Sequence, residues 1–255
     1  MTDQPQTRRA ARRRKPRRRV TFVGVIGELF ITAGVVLLLF VAWQLWIGDM
    51  IYGAERNEQG HAISEEWADA DPTPLPDEGV DQSDPAWKPP HMDVPADGEK
   101  FGVMYVPRWG EDYAMPMAGG ITKPITLDPI GIGHYGDTEM PGETGNFALA
   151  GHRTTFGKPF AEIATLRIGD AIVVETSDGW YTYRFRTLEY VQPDEVDVLL
   201  DVPQNPEVPA DGRYITLTAC SPKYSLAERI VAYGVFESFQ PRADGAPDSL
   251  TEGLS

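Results

Sequence analysis

The chain has 255 residues, 24% charged and 42% hydrophobic, with a formal net charge of −15. This length accommodates one globular domain of ordinary size with flanking segments. So acidic a balance leaves little to meet phosphates, and nucleic acid is not expected as a partner.

The charge is unevenly distributed. Residues 1–20 carry nine Lys or Arg and one acid, net +8, while the rest carries 14 bases and 37 acids, net −23. From 22 to 47 the chain is apolar apart from Glu28, Thr32 and Gln44. At about 1.5 Å per residue, a helix of this length crosses a hydrocarbon core of roughly 30 Å. The stretch is longer than the roughly 7 to 15 apolar residues of a signal peptide. It ends in the interface aromatics Trp43, Trp46 and Tyr52, without a small-residue cleavage site. Residues 21–47 are therefore expected to be an uncleaved, single-pass membrane anchor. The bases before it predict a cytoplasmic N-terminus and an extracytoplasmic remainder at the cell membrane. They read as topology determinants and anionic-lipid contacts, not as a nucleic-acid arm.

Between 48 and 97 there are 13 acids, seven prolines and only two bases, Arg56 and Lys88. Such a composition buries too little apolar surface to offset its ordering entropy. It predicts an acidic, Pro-rich extracytoplasmic stalk, with a short polar helix over 54–70 as its only regular element.

Residues 98–240 are β-rich. Strands are predicted over 101–106, 145–150, 171–176, 180–191, 214–219 and 230–239, with short helical turns near 158–166 and 194–200. Ser177-Asp178-Gly179 joins two of the runs into a hairpin, after which Trp180, Thr182, Arg184 and Arg186 alternate with Tyr181, Tyr183 and Phe185. The fold class is thus all-β, a closed or nearly closed barrel with few helices. Residues 241–255 read as a flexible C-terminal tail.

The chemistry centres on the single cysteine, Cys220. Outside the cytoplasm, structural cysteines normally come in pairs, so an unpaired one points to a reactive thiol or an intermolecular disulfide. A reactive thiol needs a base and a positive charge beside it. Of the four histidines, His61 and His91 fall in the stalk, and His134 and His152 in the β domain. His152, at the end of a strand-like run, is the favoured partner. His134, in a glycine-rich loop, reads as a substrate contact or a surface residue. No His or Cys ligand spacing for a metal is visible; the acids Asp194, Glu195 and Asp197 would hold calcium weakly at most. No cofactor is expected.

Thr216-Leu217-Thr218-Ala219-Cys220, with Gly151-His152-Arg153 upstream and Arg229 downstream, resembles the Cys, His and Arg signature of sortases, membrane-anchored cysteine transpeptidases of Gram-positive bacteria. His134-Tyr135-Gly136, Pro141-Gly142-Glu143 and the run from Gly151 to Gly157 most resemble class E of the actinobacteria, with class D next. The resemblance implies a sortase barrel of about eight strands over 98–240. It implies that Cys220 attacks the Thr carbonyl of a Leu-Ala-X-Thr-Gly or Leu-Pro-X-Thr-Gly sorting motif. His152 would protonate the departing Gly amine and deprotonate the incoming one, and Arg229 would stabilise the oxyanion. Tyr135, Thr154, Thr155 and Thr218 are the implied substrate-binding residues. The implied partners are surface proteins bearing the motif, and an acceptor amine of a peptidoglycan precursor such as lipid II or of a pilin lysine. One departure stands out: the family places Thr immediately before the cysteine, and this chain has Ala219. The rival readings are another extracytoplasmic cysteine peptidase, or a non-catalytic, wall-binding β domain. The wall-binding domain does not require Cys220, His152 and Arg229 together, and another cysteine peptidase would use Cys and His but usually orient the His with Asn or Asp and set the thiol in another motif.

Overall fold

The computed structural model describes residues 21–43, 48–70 and 87–252. The basic segment 1–20, Trp46 and the middle of the expected stalk lie outside the described residues. The chain divides into two compact units, residues 1–45 and 46–255.

The first unit contributes α1, Phe22–Ala42, 21 residues with a mean hydropathy of 2.5 and no buried side chain. Thr21 caps it by accepting from the Gly24 amide at 3.3 Å, and Thr32 donates to the Glu28 carbonyl at 2.8 Å. The Thr32 hydroxyl is thus satisfied within the helix, which is long and apolar enough to cross a membrane.

The second unit is a closed barrel of eight strands: β1 (Lys100–Tyr105), β2 (Met115–Gly119), β3 (Ile132–His134), β4 (Gly145–Gly151), β5 (Ala171–Glu175), β6 (Gly179–Val191), β7 (Arg213–Ser221) and β8 (Glu228–Pro241). Around the barrel the order is β1-β2-β3-β4-β7-β8-β6-β5, closed by an antiparallel β1–β5 pair. The β2–β3 and β4–β7 pairs are parallel and the rest antiparallel.

The alternation along β6 decides which side faces in. Tyr181, Tyr183 and Phe185 enter the main core, joined by Phe147 and Leu149 of β4 and by Ile215, Leu217 and Ala219 of β7. The predicted hairpin between β5 and β6 forms. The turns predicted over 158–166 and 194–200 become 3-10 turns at Ile163–Thr165 and Asp197–Leu199. The strands missed from sequence are β2 and β3. The first carries Pro116 and ends in glycine, and the second is three residues long, so neither shows the β-branched, alternating pattern that marks a strand.

The stalk and tail differ from expectation. Residues Gly48–Ala68 form α2, whose partly or fully buried positions Gly53, Arg56, Asn57, Gly60, Ile63, Ser64 and Trp67 recur at helical spacing. This stripe lies on the barrel. The Asn57 side chain accepts from the Ala114 amide at 3.2 Å, and a Cβ at Gly60 would stand 2.0 Å from the Ala114 carbonyl oxygen, so only glycine permits the approach. Farther on, Trp87 stacks on Phe236 at 5.5 Å, and Asp97 bridges to Gly119. In the tail, Ser249 is buried against the Thr182 hydroxyl at 3.0 Å. Polar and small residues make most of these contacts, with few apolar ones such as Trp87 among many acids and prolines, which is why composition read the segments as solvated.

Glu175 ties α2, barrel and tail together. It is fully buried and accepts from Ser64 of α2 at 2.9 Å, from the Tyr105 hydroxyl at 2.7 Å and from Arg242 at 2.8 Å. Arg242 also lies over the Trp180 ring, 4.6 Å from its centroid. Glu175→Ala leaves Arg242 buried without its counter-charge, and is expected to lower unfolding stability by about 3–5 kcal/mol, read from denaturant melts.

His134 is also in the interior, contrary to the surface or substrate-contact reading. It is fully buried between Phe101 and Phe147, with ring centroids at 6.0 and 5.3 Å. Nε2 lies 3.0 Å from the Glu139 carbonyl oxygen, which can only accept, so the proton is assigned to Nε2. Burial lowers the proton affinity of His134 below the ordinary value of 6.5, against smaller raising effects from its hydrogen bonds. The unfolded chain therefore binds this proton more readily, and the stability contributed by the neutral ring is lost as pH falls below that of ordinary histidine. Between about pH 7.5 and 5, the wild type should lose stability more steeply than His134→Asn, by at most about 1.4 kcal/mol per pH unit.

Candidate active site

Three neighbouring strands bring the predicted catalytic residues into one row. The parallel β4–β7 ladder pairs Ala150 with Thr218. Two residues beyond, on each chain, come His152 and Cys220. The antiparallel β7–β8 ladder pairs Cys220 with Arg229 directly. Strands in a sheet lie about 4.8 Å apart. Side chains alternate, and since Leu149, Ile215, Leu217, Ala219 and Ile230 face the core, Cys220 and Arg229 share the outer face.

The local sequence explains how each residue is held. Gly151 lets the Phe160 ring pack against the end of β4, where a Cβ would stand 2.8 Å from Phe160 Cδ2. The Phe160 amide then donates to the His152 carbonyl at 3.0 Å and closes the loop 152–160. Within that loop Phe156 and Lys158 adopt left-handed backbone at φ 52° and 53°, and Tyr224, in the β7–β8 loop, at 68°. Left-handed non-glycine residues are uncommon, and such strain concentrates at functional loops. The Phe156 ring lies 5.1 Å from the His152 ring.

Arg153 is buried and fastens the ends of β4 and β7 together, donating to the Cys220 carbonyl at 3.4 Å and to the Ser221 hydroxyl at 3.2 Å. Arg229 is half-buried, and its Nη1 donates to the carbonyls of Leu226 and Glu228 at 3.2 and 3.0 Å. Those bonds orient the guanidinium while its other donors stay available. His152 is not held by strands alone, because its Nε2 lies 2.7 Å from Oδ1 of Asp128. Asp128 was not legible in the sequence. It lies 24 residues upstream in a loop, and only its position before Pro129 sets it apart.

Of the expected substrate-binding residues, Tyr135 and Thr218 meet. Their hydroxyls are 3.0 Å apart, and Thr218 also donates to the Leu149 carbonyl at 3.2 Å. By alternation Thr218 stands on the same face as Cys220, two residues away. Thr154 and Thr155 sit in the loop after His152, where the Thr155 carbonyl accepts from the Lys158 amide at 3.0 Å. Ala219 is 3% exposed and belongs to the core. The departure from the family pattern therefore falls on the inner face, and Thr218 does not occupy its place.

A barrel that presents a free thiol in line with an imidazole and a guanidinium has the architecture of a cysteine-dependent enzyme. A family profile described as the sortase domain matches residues 104–237. Sortase SrtE2 of Streptomyces coelicolor is 33% identical over 238 residues, which cover 91% of this chain and 88% of that protein. Sortase SrtE1 of the same organism is 37% identical over 251 residues, 96% of this chain, and the chain spans 66% of that longer protein. Among solved structures, the SrtA sortase from Actinomyces oris superposes with a TM-score of 0.60 at 35% identity, covering 66% of this chain and 96% of that one. Sortase E1 from S. coelicolor, solved with a tripeptide in its active site, gives 0.57 at 38% identity, covering 61% and 99%. The chain belongs to the sortase family of cysteine transpeptidases, with class E relatives.

Among the described residues, no group of three or more His, Cys, Asp or Glu is arranged to hold a metal ion. The Tyr135–Thr218 contact is testable. Thr218→Val removes the hydroxyl that Tyr135 meets while keeping the branched shape, and is expected to raise KM for a sorting-motif peptide about three- to tenfold with kcat changed less than twofold.

Proposed function

We propose that this chain is a membrane-anchored, extracytoplasmic transpeptidase that cleaves a Leu-Ala-X-Thr-Gly or similar sorting motif between Thr and Gly and joins the Thr carbonyl to an amine. The observation that carries the reading is the row His152, Cys220, Arg229, set by two strand registers on the outer face of the barrel.

In this reading the Cys220 thiolate adds to the Thr carbonyl carbon, and Arg229 meets the developing oxyanion with a charge that does not titrate away. Collapse breaks the C–N bond as His152 gives its proton to the departing Gly amine. The acyl group then rests on Cys220 as a thioester, which conserves the energy of the broken amide. An incoming amine attacks that thioester, His152 takes its proton, a new amide forms and the thiolate is released. Orientation of the amine lets it outcompete water. Tyr135 and Thr218 line the motif side of the groove, and Thr154 and Thr155 border it beyond His152. The acceptor is an amine of a peptidoglycan precursor or of a pilin lysine.

α1 serves as the anchor, with the basic segment before it in the cytoplasm, a topology supported by the excess of positive charge there. The catalytic unit comprises 98–240 together with α2, which packs on it.

A quenched Leu-Ala-X-Thr-Gly peptide and an oligoglycine or other amine test the reaction. Wild-type protein is expected to cleave and ligate, and Cys220→Ala to do neither. Arg229→Ala should lower kcat about 10²–10³-fold, as loss of an oxyanion donor does. Unchanged cleavage in Cys220→Ala sinks the reading.

A further inference from the structure

The helix between the membrane span and the barrel reaches the catalytic histidine through two loops. Arg56 of α2 is 3% exposed and donates through Nη2 to the backbone carbonyl of Asp128. Asp128 in turn holds His152 Nε2 at 2.7 Å through Oδ1. About two turns earlier on the helix, Asp49 pairs with Lys158 at 3.0 Å, in the loop that carries His152. Between those contacts the backbones nearly touch: a Cβ at Gly157 would stand 2.6 Å from Arg56 Nη1 and 3.1 Å from the Gly53 amide nitrogen. At Gly131, just after Asp128, a Cβ would stand 3.4 Å from Arg56 Cδ. One helix face therefore grips both the loop carrying Asp128 and the loop carrying His152.

From this geometry we infer that Asp128 is a positioning residue for His152, and that α2, through Arg56 and Asp49, holds the two loops at the spacing their hydrogen bond requires. The inference rests on the reading of His152 as the general acid and base. A carboxylate only accepts, so its contact assigns a proton to Nε2 and leaves Nδ1 as the nitrogen that exchanges protons with the Gly amine. The charged and titratable groups around this ring are Asp128 with Arg56 behind it, Cys220 on β7, Arg229 on β8, and Arg153 and Lys158 on its own loop, the last neutralised by Asp49. Among these, Asp128 is the acid in direct contact with the ring. The arrangement gives the segment 48–68 a catalytic duty in addition to its mechanical one.

The test uses the detergent-solubilised full chain. Asp128→Asn keeps the shape and removes the charge. It should lower kcat for peptide cleavage about 10- to 100-fold with KM changed less than threefold. With only four histidines in the chain, His-selective labelling resolves the imidazole signals, and the one missing in His152→Ala identifies that ring. In Asp128→Asn the imidazole nitrogen shifts of that ring, which report the tautomer, should no longer show Nε2 as the sole protonated nitrogen, a change that a merely structural role does not produce. Arg56→Gln should lower kcat in the same direction, with Asp128→Glu recovering part of the loss seen in Asp128→Asn. Should Arg56→Gln not fold, Lys158→Met loosens the same clamp at its partly exposed end and is expected to lower kcat about threefold. A wild-type kcat and an unchanged His152 tautomer in Asp128→Asn overturn the role of Asp128, and wild-type kcat in folded Arg56→Gln or in Lys158→Met overturns that of α2. If His152→Ala remains active, the reading of His152 itself fails, an outcome distinct from both.

Discussion

The register of β4 on β7 and of β7 on β8 is the constraint on which the site depends. A strand presents alternate residues to opposite faces, so a slip of one residue would carry Cys220 into the barrel and bring Ala219 out. The register is fixed by the inward set, since Phe147 and Leu149 on β4, Ile215 and Leu217 on β7, and Ile230 and Ala232 on β8 all enter one apolar core. Core packing and catalytic alignment are therefore the same choice. At about 25 cal/mol per Å2 of apolar surface buried, a slip that exposed these side chains would cost far more than any active-site contact returns.

The outer face of the same strands is polar but well satisfied. Thr216 donates to the Asn146 side-chain oxygen at 2.8 Å, and Asn146 donates to the Val198 carbonyl at 3.1 Å. Tyr135 and Thr218 continue the pattern toward Cys220. Each of these hydroxyls has a partner within the protein, so this face is ordered without being apolar. The left-handed residues Phe156 and Lys158 lie in the loop after His152, where its closing hydrogen bonds hold them.

Much of this was legible in the sequence, for identifiable reasons. The six strong strands alternate or carry β-branched and aromatic residues, and the unpaired cysteine beyond a membrane-type segment limited the chemistry before any family likeness was considered. The His152, Cys220 and Arg229 motifs each lie on or beside one of those strands, so finding the strands also placed the candidate residues. The segments misread share one physical cause. In each, the apolar residues are too few or too interrupted to repeat: Met115 and Met117 of β2 and Ile132 of β3 enter the core beside Pro116 and Gly133, and α2 and the C-terminal turns add hydrogen bonds and close backbone approaches. Such contacts leave no hydrophobic period. Gly60 against Ala114 and Ser64 on Glu175 are visible only once the partner, many residues away, is in place. Asp128 was missed on the same ground, as a loop carboxylate whose meaning comes from what folds against it.

The parallel pairing of β4 with β7 has a consequence for the order in which the protein matures. Its ladder joins residues such as Ala150 and Thr218, with β5 and β6 placed between them in the chain. Contacts so distant in sequence form late, after the loop-closure entropy has been met. Two of the three aligned residues also sit on the last two strands to be synthesised. A chain emerging N-terminus first therefore displays its histidine loop before it possesses the thiol strand. It gains the aligned cysteine and arginine only when the barrel closes, so the row of His152, Cys220 and Arg229 belongs to the completed fold and to no partial chain.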